Sequence, residues 1–219
     1  MRTRRLTTVM AKRPVPGEVK TRLCPPLAPE GAAELALAML DDTVLKCAGC
    51  GEFETSIAAS WDLAWFRERY PGVREIVPQE GRDLADRLAR CFEKAAAAHP
   101  GWSLACVGAD SPQVPVERIV EAHAAIESGA DLVLGPDHGG GYYLVALARP
   151  VAEVFTRVAM STPTMRERTI EIARELGLRV QLLAKDFDVD TPADLERLAG
   201  DVRAPRSSAI ARRLLARTP

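Results

Sequence analysis

The sequence predicts an α/β fold in which a mostly parallel β-sheet is covered by helices on both sides. The first observation is that short apolar runs alternate with helical segments of about ten to eighteen residues. The second is the run Ser103 to Gly108, SLACVG, which is apolar on both faces, as central parallel strands are. A chain of 219 residues is long enough to bury a sizeable core. We therefore expect one domain over residues 1–202, followed by a basic segment, 203–219.

The individual elements follow from periodicity and from turn residues. Helical spacing of apolar residues, as in Leu35, Met39, Leu40 and Val44, predicts amphipathic helices, and Pro-Gly pairs after residues 70 and 99 end two of them. The predicted strands are residues 6–11, 55–60, 73–77, 103–108, 131–134, 141–147 and 179–183. The predicted helices are residues 29–46, 63–70, 81–99, 115–128 and 163–176.

Charge and composition exclude several classes of protein. The 29 basic and 30 acidic residues give a net charge of −1, so no global field attracts the chain to nucleic acid or to an anionic membrane. The basic N-terminus lacks the apolar core of a secretory signal, and no stretch approaches the ~20 apolar residues of a membrane-spanning helix. The expected compartment is the cytoplasm.

A loop of basic residues follows the first predicted strand. It reads KRPVPGEVKTR and carries Lys12, Arg13, Lys20 and Arg22, with Gly17 between them. Proline fixes φ and removes an N–H donor, whereas glycine permits backbone conformations closed to other residues, so we expect a stiff, exposed loop. Ligands of open α/β sheets bind beyond the carboxyl ends of the strands. The loop is therefore a candidate polyphosphate site, and a solvated basic turn is the alternative.

Aspartates at the ends of later strands supply acidic partners for this loop. Asp110 directly follows the central strand, and Asp186, Asp188 and Asp190 follow the last one, on one side of the chain if that segment is extended. Carboxylates facing a basic loop suit Mg²⁺ (or Mn²⁺), which is commonly held by one or two carboxylates together with substrate phosphates. Asp110 is the predicted first ligand, and Asp188 or Asp190 the second. For Asp190 the alternative is an N-cap of the helix that follows.

A glycine-rich loop, Gly139 to Gly141, lies between two predicted strands. Three glycines either form a tight turn or let the backbone approach a sugar or acceptor closely, with Tyr142 and Tyr143 supplying a wall and a hydroxyl. His138 is a candidate general base, and the alternative is an ordinary surface histidine.

Six motifs, taken together, resemble one bacterial family. They are AKRPVPGEVKTRL, DLADRL, VGADSP, GPDHGGGYYL, MSTPTMRERT and DFDVDTPADL, in this order between about Leu6 and Leu198. In this combination the chain is similar to the DUF2064 family of the nucleotide-diphospho-sugar transferase (GT-A) superfamily. The resemblance implies a GT-A fold, a three-layer α/β/α sandwich with a mostly parallel central sheet.

The motifs and the resemblance together give a set of candidate site residues. The nucleotide is expected at the basic loop and the DLADRL motif, and the acceptor near the glycine-rich loop and the MSTP motif. The nucleotide-binding candidates are Lys12, Arg13, Gly17, Lys20, Thr21, Arg22, Asp83 and Arg87; the metal ligands are Asp110, Asp188 and Asp190; the acceptor-pocket candidates are Asp137, His138, Gly140, Gly141, Tyr142, Ser161 and Thr162. Among them, Lys20, Arg22 and Asp110 are the expected catalytic residues.

Two positions depart from the family pattern. Gly139 stands where the family usually has an aspartate, so a carboxylate expected in the acceptor pocket is missing, although Asp137 lies close by. Met160 stands where a tryptophan is common. The first departure motivates the hypothesis of a non-catalytic nucleotide-binding protein that has kept the fold.

Two reactions fit the candidate site. A nucleotidylyltransferase attacks the α-phosphate of an NTP and releases pyrophosphate, whereas a GT-A glycosyltransferase breaks the sugar C1–O bond of an NDP-sugar and releases an NDP. The pattern KxxxxGxxKTR resembles that of phospholactate guanylyltransferases, and Asp110 is not followed by the x-Asp of a D-x-D pair. These features favour nucleotidyl transfer, with glycosyl transfer as the alternative. The expected partners are a nucleotide and a small-molecule acceptor.

The C-terminal segment, residues 203–219, carries five arginines and no acidic residue. Its apolar residues Ile210, Leu214 and Leu215 recur at helical spacing. The segment is either a solvated tail or a short amphipathic helix that docks on the domain or on a second subunit, as in a homodimer. We expect the tail.

Overall fold

The computed structural model describes residues 4–217 and contains a sheet of seven strands. Residues 1–3 and 218–219 lie outside the described residues. In chain order the strands are β1 Arg5–Ala11, β2 Glu54–Ala59, β3 Glu75–Pro78, β4 Ser103–Gly108, β5 Leu132–Pro136, β6 Tyr142–Leu147 and β7 Val180–Leu182. Their order in the sheet is β3-β2-β1-β4-β6-β5-β7, and every pair is parallel except the two that β6 makes. The mostly parallel sheet predicted from the sequence is confirmed.

Helices cover both faces of this sheet. They are α1 Pro29–Ala48, α2 Leu63–Arg69, α3 Leu84–Ala98, α4 Val116–Glu127, α5 Glu153–Thr156, α6 Met165–Glu175, α7 Pro192–Ala199 and α8 Pro205–Leu215. A short 3-10 turn spans Thr21–Leu23. Among the helices of residues 4–217, none combines the length and the apolar character needed to cross a bilayer.

Alternation of side chains along β1 shows how the three layers form. Val9 and Ala11 point to one face, where they pack with residues of α1, α2 and α4. Leu6 and Met10 point to the other face, where they pack with residues of α3, α5 and α6. Because successive side chains of a strand alternate, a strand buried on both faces has apolar residues on both. The predicted three-layer α/β/α sandwich is therefore confirmed.

Two predicted helix starts are displaced by two or three residues. The helix predicted from Gly81 begins at Leu84, since the Asp83 carboxylate accepts a hydrogen bond from the backbone N–H of Asp86 at 2.9 Å and caps the helix. The helix predicted from residue 163 begins at Met165. The four-residue helix α5 is not predicted at all, because one turn is too short for a periodic pattern.

The expectation of a solvated C-terminal tail is wrong. Residues 205–215 form α8, which packs on α1 and α7 in a third apolar cluster that contains Ala204 and Ala211. The carboxylate of Asp42 in α1 is buried at the N-terminus of α8 and accepts hydrogen bonds from the backbone N–H and the hydroxyl of Ser207, at 2.8 and 2.7 Å. The sequence of this segment did not reveal the docking, because the segment has no acidic residues of its own and its partners lie in distant parts of the chain.

We expect Asp42→Ala to loosen α8 and to lower the free energy of unfolding by about 1–3 kcal/mol, because it removes a buried helix cap. Urea unfolding and hydrogen exchange of the α8 amides measure the effect. Glu34→Ala is the control: Glu34 of α1 makes an exposed ion pair with Arg213 of α8, and its loss should cost about 0–1 kcal/mol. Equal effects of the two substitutions would contradict the role of Asp42.

Candidate nucleotide-phosphate site

Three segments meet at the carboxyl edge of the sheet. The loop after β1 and the loop after β4 are adjacent because those strands are parallel neighbours, with Met10 opposite Gly108. The third segment, residues 186–190, runs between β7 and α7. Its Val189 N–H donates to the carbonyl oxygen of Asp110 at 2.9 Å. The basic loop and the aspartate segments are therefore brought together, as the sequence predicts.

Lys20 lies at the centre of this meeting point. Its Nζ is 2.5 Å from Oδ1 of Asp110 and 3.2 Å from Oδ1 of Asp190, and its side chain is 8% exposed. Burial lowers the pKa of Lys20, but the two carboxylates outweigh burial, and the net shift of the pKa is upward. Lys20 therefore remains a cation in an otherwise buried position.

The basic loop holds Lys20 in a defined conformation. The backbone of Lys20 is left-handed, with φ of 46° and ψ of 36°, a region that non-glycine residues seldom occupy. The 3-10 turn follows at once, and its Leu23 is fully buried in the third apolar cluster. At the exposed tip, Gly17 has φ of 80°, and Lys12 Nζ lies 3.1 Å from Oε2 of Glu18. The loop is thus fixed at both ends.

Arg22 belongs to the same cluster but remains largely in solvent. Its Nη1 is 3.6 Å from Oδ2 of Asp190, and its side chain is 75% exposed. Thr21, beside it, begins the 3-10 turn and is also exposed. A guanidinium so placed is free to bind a further phosphate oxygen at the mouth of the site.

Asp188 is a partly buried carboxylate beside Asp110. One of its oxygens accepts a hydrogen bond from the Ser111 hydroxyl. Burial raises the pKa of Asp188 to about 7; the Ser111 bond opposes the shift, and the nearby carboxylates of Asp110 and Asp137 add to it. A divalent cation would relieve the repulsion between these carboxylates. Asp110 and Asp188 thus fit a hard cation that takes its other ligands from phosphates and water.

Asp190 is not the cap of α7. The N-cap is Thr191, which forms a capping box with Asp194, so the cap lies one residue later than the sequence pattern suggested. The Asp190 carboxylate instead faces Lys20 and Arg22. Among residues 4–217, no three His, Cys, Asp or Glu side chains are arranged so that they could hold a metal ion by themselves. The protein itself therefore offers only a partial set of ligands.

Three predicted nucleotide-binding residues are engaged elsewhere. The Arg13 guanidinium pairs with Asp62, and it lies 5.6 and 5.5 Å from the ring centroids of Trp61 and Trp65. Asp83 caps α3, as described above. Arg87, one turn into α3, donates to the carbonyl oxygen of Gly81 at 3.4 Å and lines a cavity of about 110 Å³ between α3 and the β1–β3 strands. The structure therefore does not bring these three residues to the Lys20 cluster.

The glycine-rich loop is in contact with the MSTP segment. The backbone N–H of Arg166 donates to the carbonyl oxygen of Gly140 at 2.9 Å, and a side chain at Gly140, where φ is 92°, would overlap the backbone of Pro163. Ser161 has φ of 59°, and the hydroxyl of Thr162 donates to the carbonyl oxygen of Ala159 at 2.9 Å. Ser161 is exposed and Thr162 is partly buried beside the loop.

The carboxylate of Asp137 supports the same loop from within. It is buried and accepts a hydrogen bond from the Gly141 N–H at 2.9 Å. A side chain at Gly141 would press against this carboxylate. His138 is exposed, as the surface alternative expects.

The two tyrosines do not form a wall for an acceptor. The hydroxyl of Tyr142 is enclosed in the core and has no hydrogen-bond partner in the described structure, and the ring packs with residues of the α3 face. Tyr143 points to the opposite face, and its hydroxyl donates to the carbonyl oxygen of Ala184 at 2.9 Å. The reason is that β6 lies inside the sheet, so helices cover both of its faces. The structure therefore does not present the Tyr142 hydroxyl to an acceptor.

Sequence reasoning missed Ser111, which binds Asp188, and Asp62, which fixes Arg13. Ser111 directly follows Asp110 at a strand end, and that position is a signal that could have drawn attention to it. Asp62 gave no comparable signal, because its partner lies 49 residues away.

We expect Gly140→Ala to separate the glycine-rich loop from the MSTP segment. The positive φ alone costs a residue with a Cβ about 1–3 kcal/mol, and the methyl group would also displace Pro163. Thermal unfolding measures the effect. The matched control is Gly139→Ala, because a Cβ there meets only Oδ1 of Asp137, at 3.4 Å, without a positive φ. A Gly140→Ala variant as stable as the control would contradict this account.

The raised pKa of Asp188 predicts a particular pH dependence of stability. A carboxyl group whose pKa is higher in the folded protein binds more protons when folded, so stability falls as the pH rises from the ordinary value of 3.8 towards about 7. Asp188→Asn should remove this part of the loss. Urea unfolding at pH 5 and pH 8 without divalent cations measures it.

The control for this experiment is Asp131→Asn. Arg179 lowers the pKa of Asp131, so Asp131 contributes no change of protonation between pH 5 and pH 8. The control should therefore keep the pH dependence of the wild type. If Asp188→Asn also keeps it, Asp188 does not titrate in this range.

Comparisons with known proteins identify the family. The family model described as "Uncharacterized protein conserved in bacteria (DUF2064)" matches residues 42–162. A phosphoenolpyruvate guanylyltransferase of Sphaerobacter thermophilus is 31% identical over 195 residues, covering 86% of this chain and 90% of that protein. Another protein of that name, from Thermomonospora curvata, is 30% identical, covering 91% of this chain and 86% of that protein.

A solved structure supports the fold. A candidate nucleotide-diphospho-sugar transferase from Desulfovibrio desulfuricans G20 superposes with a TM-score of 0.82 and 24% identity, over 95% of this chain and 97% of that one. The GT-A fold expected from the motifs is thereby confirmed. The chain belongs to the DUF2064 family.

Proposed function

We propose that this protein is a nucleotidylyltransferase: it transfers a nucleoside monophosphate from an NTP to a small phosphorylated or hydroxyl-bearing acceptor and releases pyrophosphate. The observation that carries the proposal is the position of the Lys20 ammonium between the carboxylates of Asp110 and Asp190. The relatives named phosphoenolpyruvate guanylyltransferases support it and make GTP and phosphoenolpyruvate the first substrates to test. We infer that the catalytic unit is one domain that includes α8.

Lys20 has the capacity to bind a phosphate while it keeps its present partners. A lysine ammonium has three N–H donors, and Asp110 and Asp190 use two of them. The third is available to a β- or γ-phosphate oxygen. Arg22 and Lys12, both exposed on the same loop, add positive charge at the mouth of the site. Cations arranged in this way would offset the negative charge of a bound triphosphate.

The carboxylates of Asp110 and Asp188 would hold Mg²⁺ or Mn²⁺. Their oxygen atoms are the ligand type that these ions prefer, and two carboxylates are enough when substrate phosphates complete the coordination. When bound, the cation would neutralise charge on the phosphate oxygens. Asp188 must lose its proton to serve as a ligand, so its raised pKa makes binding favourable mainly near and above neutral pH.

The reaction itself needs mainly positioning. An acceptor oxygen attacks the α-phosphorus in line, a new P–O bond forms, and the bond to the β-phosphate oxygen breaks as pyrophosphate leaves. Lys20 and Arg22 orient the departing phosphates and offset the charge that develops on them. The contact between the Gly140 loop and the MSTP segment gives a fixed surface on which the acceptor can bind.

A phosphate nucleophile suits this site better than a hydroxyl. A phosphate oxygen is already anionic at neutral pH, whereas a hydroxyl requires a general base. In the loop from Asp137 to Gly141, the Asp137 carboxylate is buried and bonded to the backbone, and His138 is exposed to solvent. The loop therefore offers no base held in place for a hydroxyl, and a phosphorylated acceptor is favoured.

Product analysis tests the proposal and separates it from its alternatives. The protein is incubated with Mg²⁺ and each NTP, with phosphoenolpyruvate or other small phosphorylated compounds, and pyrophosphate is measured; parallel reactions contain NDP-sugars, and NDP is measured. We expect acceptor-dependent release of pyrophosphate, with GTP as the best donor. NDP release alone would indicate glycosyl transfer, and nucleotide binding without release of either would indicate a non-catalytic protein.

Lys20→Met should lower kcat/KM by at least about 10²-fold, because it removes a fixed cation that contacts the leaving phosphates. The melting temperature should change little, since Asp110 and Asp190 are 58% and 43% exposed and remain solvated without their partner. Steady-state kinetics and thermal unfolding measure the two effects. Lys94→Met, on the outer side of α3, is the control. Retained activity, or a large loss of melting temperature, would show that Lys20 is structural.

A further inference from the structure

Gln113 joins the two aspartate segments of the candidate site without belonging to the site itself. Its side chain is fully buried. The amide nitrogen donates to Oδ1 of Asp186 at 2.8 Å and to the carbonyl oxygen of Phe187 at 2.6 Å. Both partners are acceptors only, so the orientation of the amide is fixed: a reversed amide would place oxygen against oxygen.

The sheet alone does not hold these segments together. The loop that carries Asp110 follows β4, whereas Asp186 continues the edge of β5, with its N–H bonded to the carbonyl oxygen of Pro136 at 3.1 Å. In the sheet, β6 lies between β4 and β5. The segments are therefore connected across the top of β6 by side chains and by the bond from Val189 to Asp110.

Lys46 of α1 fixes the backbone on both sides of Gln113. Its Nζ donates to the carbonyl oxygen of Pro112 at 2.6 Å and to that of Val114, the residues on either side of Gln113. Burial lowers the pKa of Lys46, with opposing contributions from nearby groups that include Asp42 and Asp186. One partly buried ammonium thus holds the carbonyl groups on both sides of Gln113, and the Gln113 amide reaches the second segment.

The far side of Asp186 is also fixed. Its second oxygen accepts a hydrogen bond from Nη1 of Arg203 at 3.0 Å, and Arg203 is in turn bound to Asp201 ahead of α8. Asp186 is therefore held between Gln113 and the C-terminal part of the chain. These bonds to Asp186 also restrict the position of Asp188, which lies two residues later in the same segment.

We propose that Gln113, held by Lys46, is a positioning residue that sets the separation of the Asp110 and Asp188 carboxylates. The inference rests on the proposed function, in which those carboxylates share a divalent cation. Without the amide, the two segments would retain only the bonds that the site residues themselves make. Geometry at a reacting centre is sensitive to such shifts, and a displacement of about 1 Å can cost on the order of 10²-fold in rate.

The test compares how GTP stabilises the protein with and without Mg²⁺. The thermal shift by GTP in EDTA reports phosphate binding by Lys20 and Arg22, and the additional shift with Mg²⁺ reports the carboxylate pair. The variants are Gln113→Met and Lys46→Met, which keep most of the length of the side chain but remove its N–H donors. Ser103→Ala is the control, because it removes a buried hydrogen bond, to His123 at 2.8 Å, at the opposite end of β4. Kinetics with Mg²⁺ and GTP accompany the shifts.

We expect Gln113→Met and Lys46→Met to lose most of the Mg²⁺-dependent thermal shift and to keep the shift that GTP produces in EDTA. Their kcat/KM for GTP in the presence of Mg²⁺ should fall by about 10²-fold. The control should keep both shifts even if its melting temperature falls. A Gln113→Met protein that keeps the full Mg²⁺-dependent shift overturns the inference. If Gln113→Met does not fold, Lys46→Met decides by the same criterion.

Asp110→Asn separates this inference from the proposed function. If Asp110→Asn loses the Mg²⁺-dependent shift and Gln113→Met keeps it, the proposed site stands and the positioning role of Gln113 is wrong. If Asp110→Asn keeps the shift, the carboxylate pair does not bind the cation, and both the assignment of Asp110 as a metal ligand and the positioning role of Gln113 are wrong.

Discussion

The structure of the candidate site depends on one interaction, the buried ammonium of Lys20 between Asp110 and Asp190. Each partner arrives from a different part of the chain: the loop after β1, the end of β4 and the segment before α7. A buried charge is tolerated only when it is paired. The carboxylates therefore fix the basic loop as much as the loop fixes them, and the site is shaped before any ligand binds.

Apolar packing holds the segment of residues 186–190 in place next to the Lys20 cluster. Asp186 and Asp188 face the loop after β4, while the alternating residues Phe187 and Val189 are buried among α1, α7 and α8. The C-terminal helix thus completes the core against which the aspartates are anchored. This explains how residues distant in the sequence can control the geometry of a site they do not enter.

The sequence predicted the parts of the site that follow from strand order and missed those that follow from long-range contacts. Lys20 and Asp110 could be predicted to converge because loops at the carboxyl ends of parallel strands share one edge. The inward direction of Tyr142 could not, since it depends on β6 lying inside the sheet, and neither could the docking of α8, which depends on Asp42. Arg13 looked like its neighbours Lys12 and Lys20, but Asp62 and two tryptophans hold it aside.

A crystal structure of the protein with GTP and Mn²⁺ tests the central claim most directly, because the anomalous signal locates the metal and the density locates the phosphates. The account requires Mn²⁺ bound by carboxylate oxygens of Asp110 and Asp188, with Nζ of Lys20 within hydrogen-bonding distance of a phosphate oxygen. A triphosphate bound on another side of the molecule, with Lys20 still enclosed by its two aspartates, would contradict it.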